Sequence, residues 1–340
     1  MKRWFIKLSK AGVILLVLTL VIGTIYEATS RKQASQNFPP PGKLIDIGDR
    51  RINLDCRGQG NPTVIFESGL DTLGSLSWSL VHDQVAQTTR ACAYNRAGIM
   101  WSDPTGTSQN SESIATDLHN TLIHAGEQGP FVLVGHSLGG PYIMTYTKYF
   151  GEDVAGLVFA DASHPDQIQR HDALNLPESG AHQFTEILYK IASALNWTGI
   201  TRAAATFYGR HPNQPEHDDL AMKAYIPTSL GAMLKEQESI DQTFTEAGTF
   251  RSLGNRPLFV LTAMKPLPAE TIAALEWTEE HAQKSREAWR LMHEEQAAWS
   301  SHSRHQLIFE AEHYIQFDRP EVVIKAVRWV VEEVRSKIDR

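Results

Sequence analysis

The chain has 340 residues, 42% of them hydrophobic and 21% charged, with 23 Gly, 16 Pro and only two Cys. That composition excludes a disordered, collagen-like or disulfide-scaffold protein. The formal charge is −7, and because Lys2, Arg3, Lys7, Lys10, Arg31 and Lys32 against Glu27 place +5 in the first 32 residues, the remainder carries −12 and is built against nucleic-acid binding.

Lys2, Arg3, Lys7 and Lys10 precede an uncharged apolar run from Ala11 to Tyr26, which ends at Glu27. A basic flank before such a run is the pattern of export or membrane insertion. Its 16 residues fall between a signal-peptide core and a comfortable span. Residues 1–32 are therefore expected to be a membrane anchor or signal segment, with the anchor favoured because no A-x-A-like cleavage site follows. The charge bias leaves the N-terminus cytoplasmic and the rest of the chain outside, membrane-anchored or secreted. Residues 33–42, with three consecutive prolines, read as an extended Pro-rich tether.

Strand-like and helix-like stretches then alternate. Lys43 to Ile47 and Arg51 to Arg57 flank a Gly48-Asp49 turn and read as a hairpin. Thr63 to Glu67, Ala91 to Tyr94, Phe131 to Val134, Gly156 to Ala160, Pro257 to Thr262 and Gln306 to Glu310 are short apolar runs, the form taken by strands buried on both faces. Helical stretches at Ser77 to Gln87, Ser113 to His124, Gly140 to Tyr149 and Pro320 to Lys337 separate or follow them. This alternation predicts an α/β architecture with a mostly parallel sheet covered on both sides. From His164 to Asn255 no good strand pattern occurs, but helices are expected over Ala181 to Leu195 and Ser229 to Ala247. An insertion of that length between the sixth and seventh strands reads as a helical cap, about residues 164–255.

Directly after the strand FVLV stands Gly135-His136-Ser137-Leu138-Gly139-Gly140, followed by a helix-like stretch. A G-x-S-x-G between strand and helix is a sharp, strained turn that lifts the serine hydroxyl off the sheet edge. A serine hydroxyl needs a base to take its proton. Of the 14 histidines, His313 is best placed, between the last strand and the closing helix.

The chain thus resembles an α/β-hydrolase-fold protein of the broad group with the G-H-S-x-G-G elbow, over residues 43–338. Gly69 in Phe66-Glu67-Ser68-Gly69-Leu70 matches the family's oxyanion loop, and the stretch from Tyr94 to Asp103 is similar to Y-D-R-x-G-x-G-x-S-D. Glu67, Asn95 and Met100 replace the family's usual His, Asp and Gly. The resemblance implies backbone N–H groups of Leu70 and Leu138 as the oxyanion hole. It usually places the acid after the strand PLFVLT, where no carboxylate stands before Glu270. Asp161, one strand earlier, keeps the order Ser-acid-His and is the preferred acid, with Glu270 and Asp166 as rivals. Cys56 and Cys92 fall on strands that are neighbours in the fold resembled, which implies a disulfide between them.

Other signals fail. His293-Glu294-Glu295-Gln296-Ala297 lacks the second histidine of a zinc motif, and His211, His217, Asp218 and Asp219 read as a solvated cap loop. Neither a Walker loop nor a dinucleotide fingerprint occurs, so neither cofactor nor metal is expected. The expectation is a serine hydrolase acting on a small-molecule carboxylic ester through Ser137, His313 and Asp161. Its competitors are carbon–carbon or amide hydrolysis by the same machinery and a catalytically silent binding module.

Overall fold

The apolar runs pair into one eight-stranded sheet in the computed structural model, which describes residues 2–177 and 180–338. Met1 of the expected N-terminal segment and residues 178–179 of the expected cap lie outside the described residues. The strands are β1 Lys43–Asp46, β2 Arg51–Arg57, β3 Thr63–Glu67, β4 Ala91–Tyr94, β5 Phe131–His136, β6 Val154–Ala160, β7 Leu258–Ala263 and β8 Ser303–Ile308, in the order β1-β2-β4-β3-β5-β6-β7-β8. β1 pairs antiparallel with β2 and β2 with β4, and every other pairing is parallel. Alternate residues of β5 serve opposite faces: Phe131 and Leu133 join one core cluster, Val132 and Val134 the other. Both faces are covered, which is why the strand reads as a continuous apolar run.

The last strand corrects the expected Gln306 to Glu310. β7 fixes its register from Leu258↔Ser303 to Ala263↔Ile308, so pairing stops at Ile308 and Phe309 turns outward, 61% exposed.

Helix α1, Lys2–Asn37, also corrects an expectation. The tether was expected to be extended from residue 33, but RKQASQN contains no breaker, so the helix continues to Asn37 and stops only before Pro39-Pro40-Pro41. The start of the tether is pinned rather than loose, since Phe38 O accepts from Trp101 Nε1 (2.8 Å) and Tyr225 OH (3.1 Å). Residues Lys10–Asn37 are long and apolar enough to cross a membrane.

The remaining helices of the first half are α2 His82–Ala86, α3 Ser111–Ala125 and α4 Gly139–Tyr149. Only part of the expected Ser77 to Gln87 is α-helical, Gly74–Trp78 being a tighter 3₁₀ turn. Asn110 starts α3 by accepting from Ser113 N–H, and Gly126 at φ +77° ends it. The insertion between β6 and β7 holds α5 Gln167–Asp172, α6 Gly180–Ala194, α7 Ile200–Ala205, α8 Glu216–Glu238 and α9 Ile240–Gly248. The single helix expected over Ser229 to Ala247 is two, broken at Ser239, whose hydroxyl bonds back to Lys235 O (2.9 Å). Asp218 and Asp219, expected in a solvated loop, are buried in the first turn of α8, where negative charge meets the helix N-terminus. α10 Ala269–Ala274 and α11 Glu279–Ala298 lie between β7 and β8, and α12 Ile315–Asp318 and α13 Pro320–Ile338 close the chain.

Cys56 and Cys92 are directly opposite across β2 and β4 and form a disulfide. Their sequence separation is 36, for which loop-closure entropy gives about 4 kcal/mol of stabilisation. A double Cys56→Ala, Cys92→Ala variant is expected to lose that much in guanidinium unfolding, with a larger m-value because the freed denatured chain is less compact. A loss below about 1 kcal/mol would refute the entropic reading.

Candidate active site

Ser137 occupies the turn between β5 and α4 at φ +52°, a conformation that costs a non-glycine residue about 1–3 kcal/mol. Two glycines make the turn sterically possible. A Cβ on Gly135 would lie 2.6 Å from Gly139 O, and one on Gly139 would lie 2.6 Å from Glu67 O. The Ser137 carbonyl is tied down by the N–H groups of Gly140 (2.9 Å) and Ser163 (2.8 Å). Its side chain is half-buried at the end of the sheet.

The loop after β3 passes over this elbow so closely that a Cβ on Gly69 would be 2.9 Å from Ser137 Cβ. Among the described residues, the N–H groups of Leu70 and Leu138 make no hydrogen bond. Two backbone donors are thus left uncommitted beside the serine.

Arg96, 2% exposed, holds the loop. Its guanidinium donates to Ser68 O (2.9 Å) and Gly69 O (2.6 Å), to Glu67 Oε1 (2.6 Å) and to both carboxylate oxygens of Glu236 in α8 (2.8 Å each). Tyr94 OH donates to the second oxygen of Glu67. Burial pushes the Glu67 carboxyl up to about 7, against the pull of Arg96 and Tyr94. The residue that replaces the family's usual histidine is therefore the anchor of an ion cluster joining sheet, loop and cap. Met100, at a position where the resemblance expects glycine, adopts φ +48° and is held by Ser229 Oγ on its N–H (2.9 Å). Asn95 bonds Ser75 N–H (2.9 Å) and Asn53 Oδ1 (2.7 Å).

Asp161 follows β6 directly and lies 2.7 Å, Oδ2 to Nδ1, from His313 in the loop between β8 and α12. Its other oxygen accepts from Ala263 N–H (2.8 Å) and Trp289 Nε1 (2.9 Å). Burial works to raise its pKa, but the hydrogen bond and charge of His313, with His293 and Trp289 assisting, hold it below the ordinary value. Of the rival acids, Glu270 is exposed in the first turn of α10, and Asp166 is clamped by Arg251 (2.5 and 2.8 Å). Neither bonds His313.

His313 is brought to the elbow through His136. Burial, then the charge of His313, lower the His136 pKa to about 3, so its ring is neutral, and Nε2 donates to His313 O (2.9 Å) with ring centroids 4.7 Å apart. No hydrogen bond joins Ser137 Oγ to His313 among the described residues. With Nδ1 of His313 committed to Asp161, Nε2 is the nitrogen available for proton transfer.

A cavity of about 600 Å³ begins at Leu70 and Tyr314, next to this cluster, and extends under the cap between Tyr189, Thr201, Met222 and Ile226. His164, Asp166 and Glu295 also converge, but Arg170 and Arg251 pair both carboxylates.

Three contributors escaped the sequence reading, Glu236, Trp289 and the Ala263 N–H, while Arg96 stands at the arginine of the Y-D-R-x-G pattern with no role read from it. For Trp289 a signal existed. In the highly charged α11 it stands with Met292, His293 and Gln296 at helical spacing, a stripe turned toward the sheet.

The sequence pattern of the alpha/beta hydrolase family matches residues 41–326. A curated protein of Hormonema carpetanum named "Probable transporter efuK" is 25% identical over 322 residues, covering 86% of this chain and 43% of that protein. The chain spans less than half the length of the curated relatives it matches. Among solved structures, a thermophilic esterase from Thermogutta terrifontis aligns with TM-score 0.58 at 17% identity, over 86% of this chain and 98% of that one. A bromoperoxidase from Bacillus anthracis aligns with TM-score 0.57, also at 17% identity, over 85% and 99%. These likenesses are of fold, and one fold with such different names leaves the chemistry to be argued from side chains. Sheet order, elbow and a family match over most of its length agree: this chain belongs to the alpha/beta hydrolase family.

Proposed function

We propose that this protein is a serine hydrolase that cleaves a carboxylic ester through an acyl-enzyme. The observation that carries the reading is the strained Ser137 at the sheet edge beside a buried Asp161 that holds His313 at 2.7 Å. Ser137 Oγ attacks the ester carbonyl carbon while His313 Nε2 takes its proton. The resulting oxyanion is received by the N–H groups of Leu70 and Leu138. Collapse breaks the carbon–oxygen bond to the alcohol, which leaves with the proton from His313. Water then adds to the acyl carbon, giving its proton to His313, and Ser137 departs with that proton as the acid is released. A serine–histidine hydrogen bond that is absent here commonly tightens when substrate fills the site.

The apolar α1 supports a membrane anchor, with basic residues on the cytoplasmic side and the hydrolase domain, residues 43–338 with a cap over 164–255, outside. The test is covalent labelling of the full chain in detergent by a fluorophosphonate, read by intact mass. One adduct is expected on the parent and none on Ser137→Ala, with equal melting temperatures. A folded parent that takes no label overturns the reading.

A further inference from the structure

α6 presents apolar side chains both to the cavity and to solvent. Tyr189 and Ala192 line the cavity, while Ile187, Leu188 and Ile191 face outward. Trp197, Ile200 and Phe207 continue this outer surface across the turn and past α7, and the six residues are 46% to 90% exposed. On the cavity side α6 and α7 are joined by Thr201 Oγ1 on Ala192 O (2.6 Å), so the two helices move as one piece. A soluble protein does not normally leave so many large apolar side chains together in water.

The same edge of the cap is docked on α1. A Cβ on Gly23 would lie 2.2 Å from Thr198 O, and one on Gly199 would lie 2.7 Å from the Tyr26 ring. Buried Glu27 accepts from Arg202 Nε (2.7 Å) and Nη2 (2.9 Å), an ion pair that satisfies the first charge after the apolar run. Contact therefore occurs where the apolar run ends. The 16 residues from Ala11 to Tyr26 span only about 24 Å as a helix against a hydrocarbon core of about 30 Å. The turn docked on that end carries the half-exposed Trp197, and with Tyr26 it supplies the aromatic pair that favours a membrane interface.

We propose that the outer face of α6, the turn after it and α7 lies in the bilayer interface beside α1, and that the cavity beneath takes an acyl lipid from the membrane as its ester substrate. The substrate class rests on the hydrolase reading above. The docking rests only on α1 and the exposed face. The cavity runs from the inner sides of these two helices to Leu70 and Tyr314, the residues that follow Gly69 and His313 in the chain, which aims a chain held in it toward the site.

Two measurements on the full chain test this. Nitroxide labels at Phe207→Cys and, as control, Phe309→Cys are compared in phosphatidylcholine nanodiscs for accessibility to oxygen and to a water-soluble nickel chelate. The label at 207 is expected to favour oxygen and the label at 309 the chelate; a chelate-accessible 207 overturns the docking. Ile191→Asp and Phe207→Asp, separately and together, are then assayed on p-nitrophenyl acetate and on a long-chain acyl ester in phosphatidylcholine vesicles. Vesicle turnover is expected to fall at least tenfold in the double variant while acetate turnover holds. Equal losses on both substrates, or none, overturn the lipid route. A parent that hydrolyses neither ester removes the substrate class and the hydrolase reading together, while the accessibility result still decides the docking.

Discussion

Asp161→Asn is expected to lower kcat on a short-chain ester by on the order of 10⁴-fold, with KM little changed. The neighbours of the carboxylate dictate this outcome. Oδ1 accepts from Ala263 N–H and Trp289 Nε1, both of which can only donate. An asparagine must therefore turn its oxygen toward those two donors, which points its NH₂ at His313 Nδ1. That nitrogen then becomes an acceptor, the ring proton moves to Nε2, and Nε2 can no longer take the serine proton. Shape is kept and the tautomer is wrong. In the parent the carboxyl is held below its ordinary pKa, so its stabilising charge is present above the unfolded value of 3.8 and is lost only as pH falls through the lower folded value. Combined with Ser137→Ala, the loss should be grossly non-additive, because the groups act as a unit. Glu270→Gln and Asp166→Asn are the controls and should keep kcat within about twofold. If either control carried the large loss and Asp161→Asn did not, the assignment of the acid would fail.

The elbow and the Asp161–His313 contact show which placements are legible in the sequence. Gly135 and Gly139 are demanded by contacts within a few residues of Ser137, so the elbow is legible as a string. Asp161 is legible because it ends a strand whose neighbours in the sheet follow from chain order. The rest depends on partners far away in sequence. β8 takes its limits from β7, whose register starts the strand three residues earlier and ends it two residues earlier than the apolar run that advertises it. Arg96 belongs to a matched pattern, but nothing near it announces its pairing with Glu67 or with Glu236, 140 positions on. Met100 reads as a departure from a glycine pattern, yet the backbone keeps the left-handed turn and the side chain is buried. The tether misled for the opposite reason: its prolines dominate the composition of the segment, but a helix is stopped only where they begin.

Arg96→Met is expected to destabilise the fold by about 3–5 kcal/mol, because it leaves two buried carboxylates without their cation. Glu67 and Glu236 are 1% and 0% exposed, and both face the one guanidinium. Burial raises the pKa of each, Glu67 to about 7, against the opposing pull of Arg96, so one proton is readily held in the cluster at mildly acidic pH. The sign follows from linkage. A carboxyl whose folded pKa exceeds its unfolded 4.5 contributes most below 4.5 and loses that contribution as pH rises through about 7. Across that window Glu67→Gln should gain stability relative to the parent, by on the order of 3 kcal/mol at most. A stability difference that stays flat from pH 4.5 to 7.5 would refute the protonation shift. Arg96→Lys separates charge from geometry, since an ammonium keeps the cation but cannot fork to Ser68 O, Gly69 O and two carboxylates at once. It should recover most of the stability lost in Arg96→Met and still show a lowered kcat with KM held. The Ser68 and Gly69 carbonyls, next to the proposed Leu70 donor, would then have lost their clamp. Full activity in Arg96→Lys would mean that the loop is held by packing alone, and that the cluster serves only to join the cap to the sheet.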